Sequence, residues 1–251
     1  MVNIKLVLEY EGTNYYGWQI QPDVPTVQGQ VQEALRKVLN REITLVSAAR
    51  TDRGVHAKGQ VVNFKVSQCL PSVQLVRAIN SILPPDIRVK KAEQVPDSFH
   101  ARHSARCKVY QYFIYNHFMI SPWVRRFSWW FKVPLNCELM TEAASYLIGK
   151  HDFSSFQNKG SPSSSSVRVV EKIKINKRGF LINIQLRADG FLYKMVRNIT
   201  GTLVEVGRGK ISPEDVYEIL KARDRKKAGP TAPPQGLFLW QVFYYPVEKT
   251  N

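Results

Sequence analysis

The sequence has 251 residues, of which 44% are hydrophobic and 11% aromatic, so it can fill the core of a folded globular protein. Lys and Arg outnumber Asp and Glu by 36 to 20, and the formal net charge of +16 favours a polyanionic partner over a membrane. Apolar runs fall short of the ~18 residues that cross a bilayer, and three widely spaced cysteines indicate neither a disulfide framework nor a zinc site.

The first half of the chain predicts strands packed under helices. Residues 1–10 alternate between apolar and polar side chains, which is the period of a half-buried strand and not the pattern of a signal peptide. Thr26 is a candidate N-cap for an amphipathic helix that ends at Asn40. The other elements predicted here are strands at 42–47 and 60–66, a helix between Pro71 and Pro84, and a strand at 87–95.

The second half predicts a similar succession of elements. They are a strand at 109–115, a helix at 139–148, a hairpin of 167–176 with 180–186, helices at 193–206 and from Ser212, and a strand at 237–245. We therefore expect an α+β fold of two similar halves, 1–105 and 106–251. Each half would hold mixed or antiparallel sheet with helices packed on one face, and an active-site cleft would lie at the junction.

One segment, residues 49–57, concentrates reactive side chains: Ala-Arg-Thr-Asp-Arg-Gly-Val-His-Ala. It lies between two predicted strands, and Gly54 permits a tight turn. Arg50 and Arg53 lie close to Asp52 in sequence, so they favour the ionised carboxylate that a nucleophile or base requires. The alternative is a solvated surface turn with charge partners, and this segment taken alone favours that alternative.

Residues 50–62 resemble the signature of the tRNA pseudouridine synthase A family. Further blocks similar to this family follow in order: Tyr10-Glu11-Gly12-Thr13, Gly17-Trp18-Gln19, Thr26-Val27-Gln28, and residues 83–87, 99–102, 110–112, 151–153, 190–197 and 236–237. Ordered matches over nearly the whole chain are more specific than a single short motif. The resemblance thus favours a catalytic role for Asp52 over the surface turn.

The resemblance implies that Asp52 is the catalytic nucleophile, Tyr110 the active-site tyrosine against the target uracil, and Arg197 a partner of Asp52. The first half would carry the Asp52 loop, and the second half Tyr110 and a basic helix. Two alternatives stay open: Tyr110 as a packed strand residue, and Arg197 as a phosphate contact. The residues expected to bind substrate are Tyr110, Arg50, Arg53, His56, Lys108 and Lys194.

The resemblance also implies the reaction. A cytoplasmic homodimer would isomerise uridine to pseudouridine in the anticodon stem-loop of tRNA, at uridines 38 to 40 in tRNA numbering. The glycosidic C1′–N1 bond must break and C1′ must rejoin at C5, which a carboxylate can assist. This chemistry needs no redox step, so we expect no cofactor and no metal. Tyr110 would relay the C5 proton, stack on the base, or do both.

Two other classes of function compete with this one. A non-catalytic RNA-binding module of the same fold explains the basic surface, but Asp52 with Arg50 and Tyr110 argues against lost catalysis. An RNA methyltransferase or metal-dependent nuclease would need a Gly-rich loop after a strand or clustered carboxylates, and neither is seen. His100 and His103 lack a third metal ligand. Basic segments such as Lys221–Lys227 are expected to follow phosphates, although some of these charges will be ordinary solvated ones.

Overall fold

The computed structural model describes residues 1–160 and 165–244. Within them the chain combines ten strands with five α-helices, which confirms the predicted α+β class. The described chain divides into two compact units, one of residues 1–106 together with residues 239–244, the other Cys107–Phe238.

The first unit is built on an antiparallel sheet with two amphipathic helices. Its elements are β1 (Val2–Tyr10), α1 (Val27–Leu39), β2 (Val46–Ser47), β3 (His56–Val66), α2 (Ser72–Ile82) and β4 (Ile87–Val95). Strand β1 pairs with both β3 and β4, and β2 pairs with β3. The period of two along β1 buries Ile4, Leu6 and Leu8. As predicted, Thr26 Oγ1 caps α1 by accepting from Gly29 N at 3.3 Å.

The second unit contains further β-strands and three α-helices. Its elements are β5 (Ala105–Asn116), β6 (Trp129–Phe131), α3 (Cys137–Ser145), β7 (Gly149–Asp152), β8 (Val167–Arg178), β9 (Leu181–Ala188), α4 (Met195–Gly207) and α5 (Asp215–Ala222). The last strand, β10 (Leu237–Tyr244), has only its first two residues in this unit. Strands β5, β9, β8 and β7 pair antiparallel in that order, and β6 pairs parallel with β5. Helix α4 is buried on nearly every side, so it forms the centre of this unit.

The last strand differs from the predicted division into residues 1–105 and 106–251. From Leu239 onward β10 belongs with the first unit, where it lies beside β3 in the strand order. A Cβ at Gly59 of β3 would come within 2.6 Å of Trp240 O, so only glycine fits this close approach. Tyr244 Oη donates to Ala101 O at 2.8 Å and fixes the end of the strand.

Several predicted boundaries were wrong. The strand expected at 42–47 is reduced to Val46–Ser47, whereas β3 begins at His56 and not at residue 60, because Ala57 pairs with Tyr10 of β1. Strands β6 and β7 were missed, since three or four residues are too few to show a period. Helix α3 begins earlier than expected because Asn136 Oδ1 caps it. The predicted end of β10 at 245 lies outside the described residues.

Residues 1–160 and 165–244 lack two kinds of feature. No helix there combines the length and apolar character needed to span a bilayer. No three His, Cys, Asp or Glu side chains converge there as metal ligands. The rings of His100 and His103 lie 4.3 Å apart as a pair.

Candidate active site

Asp52 lies in the loop between β2 and β3, in the first unit. Its side chain is half-buried, whereas Thr51 before it and Val55 after it are buried. Val55 N donates to Asp52 O at 3.1 Å, and Gly54 has a φ of 76°, so the chain turns tightly directly after Asp52. The loop therefore fixes the backbone around Asp52 while leaving its carboxylate partly accessible to solvent.

Thr51 is anchored by two groups from distant parts of the sequence. Its hydroxyl hydrogen-bonds with Tyr10 Oη at 2.7 Å, and its carbonyl oxygen accepts from Trp18 N at 3.0 Å. Burial raises the pKa of the Tyr10 phenol, so this hydroxyl stays protonated at neutral pH. Trp18 is almost wholly buried, and its ring centroid lies 6.0 Å from that of Tyr10. These contacts hold the residue next to Asp52 in one position.

Two glycines bring a second stretch of backbone against the Asp52 loop. A Cβ at Gly12 would come within 2.0 Å of Val55 O, a distance that no side chain can occupy. Gly17 has a φ of 95°, and a Cβ there would meet Thr51 O at 2.7 Å. Gly12 N also donates to His56 Nδ1 at 3.0 Å. The segment from Gly12 to Gly17 thus braces the loop on both sides of Asp52.

We expect Gly12→Ala to displace the Asp52 loop, because the new methyl group meets backbone that cannot rotate away. The free energy of unfolding should fall by about 2 to 3 kcal/mol, and turnover per folded molecule should fall with it. Thermal unfolding and activity at saturating substrate measure the two effects. Gly29→Ala is the control, because its Cβ would meet side chains and no backbone: Thr26 Oγ1 at 3.1 Å and Ile20 Cγ1 at 3.9 Å. A Gly12→Ala protein that behaves like Gly29→Ala would contradict this role for Gly12.

The other residues expected around Asp52 differ in exposure. Arg50 and Arg53 are exposed, and the Arg53 guanidinium lies 4.0 Å from the centroid of the Tyr16 ring. His56, by contrast, is completely buried. Its Nδ1 accepts from Gly12 N, so His56 supports the loop in this structure, and its expected contact with substrate stays a prediction.

Tyr110 lies on β5 of the second unit, opposite Leu186 of β9. It is 8% exposed, and its ring contacts that of Phe191 edge-on, with centroids 4.9 Å apart. Lys108 is half-buried two residues earlier, so its side chain leaves the same face of the strand. The structure thus brings a nearly buried tyrosine and a cation to one face of β5.

Arg197 lies in the first turn of α4 and is half-buried. Its Nε donates to Ala232 O at 2.7 Å, and Ala232 N donates back to Arg197 O at 3.0 Å. Burial raises the pKa of Tyr112, and the positive charge of Arg197 opposes that rise. Lys194 precedes α4 in the left-handed region, with Nζ 5.1 Å from the centroid of Tyr193.

The sequence interpretation missed the parts that support these residues. It did not assign Tyr10 and Trp18 as anchors of the Asp52 loop, although both belong to family blocks. Nor did it predict a role for residues 228–233, which follow α5 and hydrogen-bond to Arg197 through Ala232. The signal was present as a cluster of Gly and Pro from Gly229 to Gly236, which marks irregular chain.

Comparisons with known proteins agree with the resemblance. The family model described as tRNA pseudouridine synthase matches residues 6–104 and 143–245. A protein of Thermoanaerobacter sp. (strain X514), tRNA pseudouridine synthase A, is 52% identical over 97% of this chain and 100% of its own length. Its namesake from Moorella thermoacetica is 47% identical over 96% and 99%. The tRNA pseudouridine synthase A 2 of Clostridium perfringens is 46% identical over 97% and 100%. The chain therefore belongs to the tRNA pseudouridine synthase family.

Proposed function

We propose that this protein isomerises uridine to pseudouridine in tRNA, with Asp52 as the catalytic nucleophile. One observation carries the proposal: in a member of this family, a partly exposed carboxylate stands in a loop whose neighbouring residues are fixed by buried contacts. Thr51 is held by Tyr10 and Trp18, and Val55 lies against Gly12. A rigid backbone with an accessible carboxylate is what precise attack on a bound nucleoside requires.

Each of the three site residues has a place in the proposed chemistry. Asp52 assists cleavage of the C1′–N1 bond by attack or by proton removal, and C1′ then rejoins the base at C5. Tyr110 packs against the uracil and relays the proton that C5 must lose. Arg197 carries a permanent positive charge, which suits it to pair with Asp52. Arg50, Arg53, Lys108 and Lys194 supply cations for the RNA backbone.

The target we propose is the anticodon stem-loop, at uridines 38 to 40 in tRNA numbering. A stacked uridine hides its reactive face, so the enzyme must extract the base and hold the RNA around it. The formal net charge of +16 supports tight contact with phosphates. We further propose that the protein acts as a homodimer in the cytoplasm.

Mapping pseudouridine in bulk tRNA tests the proposal. Unmodified tRNA would be incubated with the purified protein in EDTA, and every uridine position would be scored by a pseudouridine-specific chemical label. We expect new pseudouridine confined to positions 38 to 40. Modification elsewhere would contradict the proposed target. Tight tRNA binding without any modification would instead support a non-catalytic RNA-binding module.

Binding to tRNA should weaken steeply as salt rises. Each neutralised phosphate of a single-stranded or looped RNA releases about 0.7 counterion, so about five contacts give a slope near −3.5 for log affinity against log salt. Filter binding of the anticodon stem-loop at several salt concentrations measures this slope. A nearly flat plot would contradict electrostatic recognition, whatever the role of Asp52.

A further inference from the structure

Arg225 lies in the loop after α5, within the basic segment Lys221–Lys227 that the sequence assigns to phosphate contacts. In the structure its guanidinium is half-buried and hydrogen-bonds to groups of the second unit. Nε donates to Asn158 Oδ1 at 3.4 Å, and one terminal nitrogen donates to Ala228 O at 3.2 Å and Gly229 O at 2.9 Å. The other donates to Asn198 Oδ1 at 3.0 Å and Thr231 Oγ1 at 3.1 Å. All three nitrogens therefore have partners.

Every acceptor that these contacts give Arg225 is neutral: two side-chain amides, two backbone carbonyls and a hydroxyl. Desolvation accordingly lowers the pKa of its guanidinium. An exposed arginine keeps its hydration or pairs with a carboxylate and so avoids this desolvation cost. The location of Arg225 therefore indicates a specific structural role. The five acceptors also match the planar fork of a guanidinium, which a lysine ammonium cannot reproduce.

The acceptors belong to two parts of the unit. Asn198 lies on α4 and Asn158 precedes β8, whereas residues 228–233, here called the strap, cross the outside of α4. The crossing is close: a Cβ at Gly201 of α4 would come within 1.6 Å of Pro230 O, and one at Gly229 within 2.7 Å of Thr202 Cα. Gly229 N also donates to Thr202 Oγ1 at 2.9 Å. Arg225 thus ties the start of the strap to the helix beneath it.

The other end of the strap supports residues at the candidate site. Ala232 O accepts from Arg197 Nε at 2.7 Å, and Pro233 O accepts from Tyr112 Oη at 2.7 Å. Tyr112 is two residues from Tyr110 on the same face of β5. Movement of the strap would therefore turn the Arg197 guanidinium and loosen the strand that carries Tyr110.

We infer that Arg225 is a positioning residue for the proposed reaction, and that it acts by fixing the strap that aims Arg197. The inference rests on the proposed function of Arg197. It requires a guanidinium at position 225 and does not require contact between Arg225 and RNA. Loss of Arg225 should therefore lower kcat while leaving KM nearly unchanged. A phosphate contact would show the opposite pattern.

Kinetics with tRNA test this inference on Arg225→Lys and Arg225→Ala, with Arg178→Met as the matched control. Arg178 is exposed at the end of β8 and lies outside the proposed site. Because small displacements of site groups cost up to about 100-fold, we expect kcat to fall by roughly 10- to 100-fold in both variants. KM should stay within about threefold. The control should match the wild-type protein.

Chemical rescue separates positioning from general damage. Propylguanidinium should restore part of the lost kcat to Arg225→Ala and leave the kcat of Arg178→Met unchanged, whereas propylammonium should restore none to Arg225→Ala. Hydrogen exchange adds a measurement that does not depend on enzyme activity. The Ala232 amide, which donates to Arg197 O, should lose protection from exchange in Arg225→Ala and regain it with propylguanidinium. If Arg225→Ala does not fold alone, folding in propylguanidinium followed by its dilution gives the same comparison.

Three outcomes would overturn the inference: unchanged kcat in Arg225→Ala, a rise in KM alone, or unchanged protection of the Ala232 amide. A wild-type protein without activity would defeat the proposed function instead, and the exchange measurement would still decide whether Arg225 holds the strap.

Discussion

Asp52→Asn should abolish turnover while leaving the fold and tRNA affinity nearly intact. The amide has the size of the carboxylate but is a poor nucleophile and base at neutral pH. The loop is also held by contacts of Thr51, Val55 and Gly12, none of which involves the Asp52 carboxylate and all of which the substitution keeps. We expect kcat to fall by on the order of 10⁴-fold or more, as for other nucleophile and triad substitutions. Single-turnover kinetics with excess enzyme measure the step directly.

Control variants decide whether such a loss is chemical. Asp86→Asn changes another first-unit carboxylate, which accepts from Tyr15 Oη at 2.6 Å, so it reports the effect of removing an ordinary structural charge. It should lose stability and keep most of the activity per folded molecule. Substantial pseudouridine formation by Asp52→Asn would contradict a catalytic role for Asp52. Loss of folding in that variant would show that Asp52 is a structural residue.

Two substitutions at Tyr110 should have different effects. Tyr110→Phe keeps the ring that packs edge-on against Phe191 but removes the hydroxyl, whereas Tyr110→Ala removes both. If the hydroxyl relays the C5 proton, Tyr110→Phe binds tRNA normally and turns over very slowly, and an intermediate already joined at C5 accumulates. Stacking contributes ~1 to 3 kcal/mol per base, so Tyr110→Ala should also weaken uridine capture by roughly one to two orders of magnitude.

We expect the relay outcome. Quench-flow sampling with mass analysis of the RNA would detect the intermediate in Tyr110→Phe. Near wild-type activity in that variant would leave Tyr110 only a stacking role. Full activity in both folded variants would show that Tyr110 is an ordinary packed strand residue.

Local signals in the sequence predicted the elements that depend on neighbours along the chain. Helix α1 was found because Thr26 caps its start and Asn40 ends it in the left-handed region, and both features involve a few consecutive residues. Strand β1 was predicted from the alternation of apolar and polar residues along it. The start of β3 at His56 was missed because the pairing of Ala57 with Tyr10 joins segments far apart in sequence.

For the candidate site too, contiguous signals were found in the sequence, whereas contacts between distant residues were missed. Asp52 was identified from contiguous residues that resemble the family signature, but the residues that hold its loop lie about 40 positions away. Arg225 was grouped with the cations expected to follow phosphates because it lies in the basic segment Lys221–Lys227, next to the exposed Lys226 and Lys227. Only the fold shows that its partners are Asn198 and the strap. Composition and spacing do not encode such burial.

We propose that this protein moves the glycosidic bond of uridine from N1 to C5, with Asp52 as the catalytic nucleophile. The most direct test of this proposal is release of tritium from an anticodon stem-loop transcript labelled at C5 of uridine, because C5 loses its hydrogen when it joins the sugar. We expect the wild-type protein in EDTA to release one tritium per pseudouridine formed, and Asp52→Asn to release essentially none. Equal release by both proteins, or none by the folded wild-type protein bound to tRNA, would contradict the proposal.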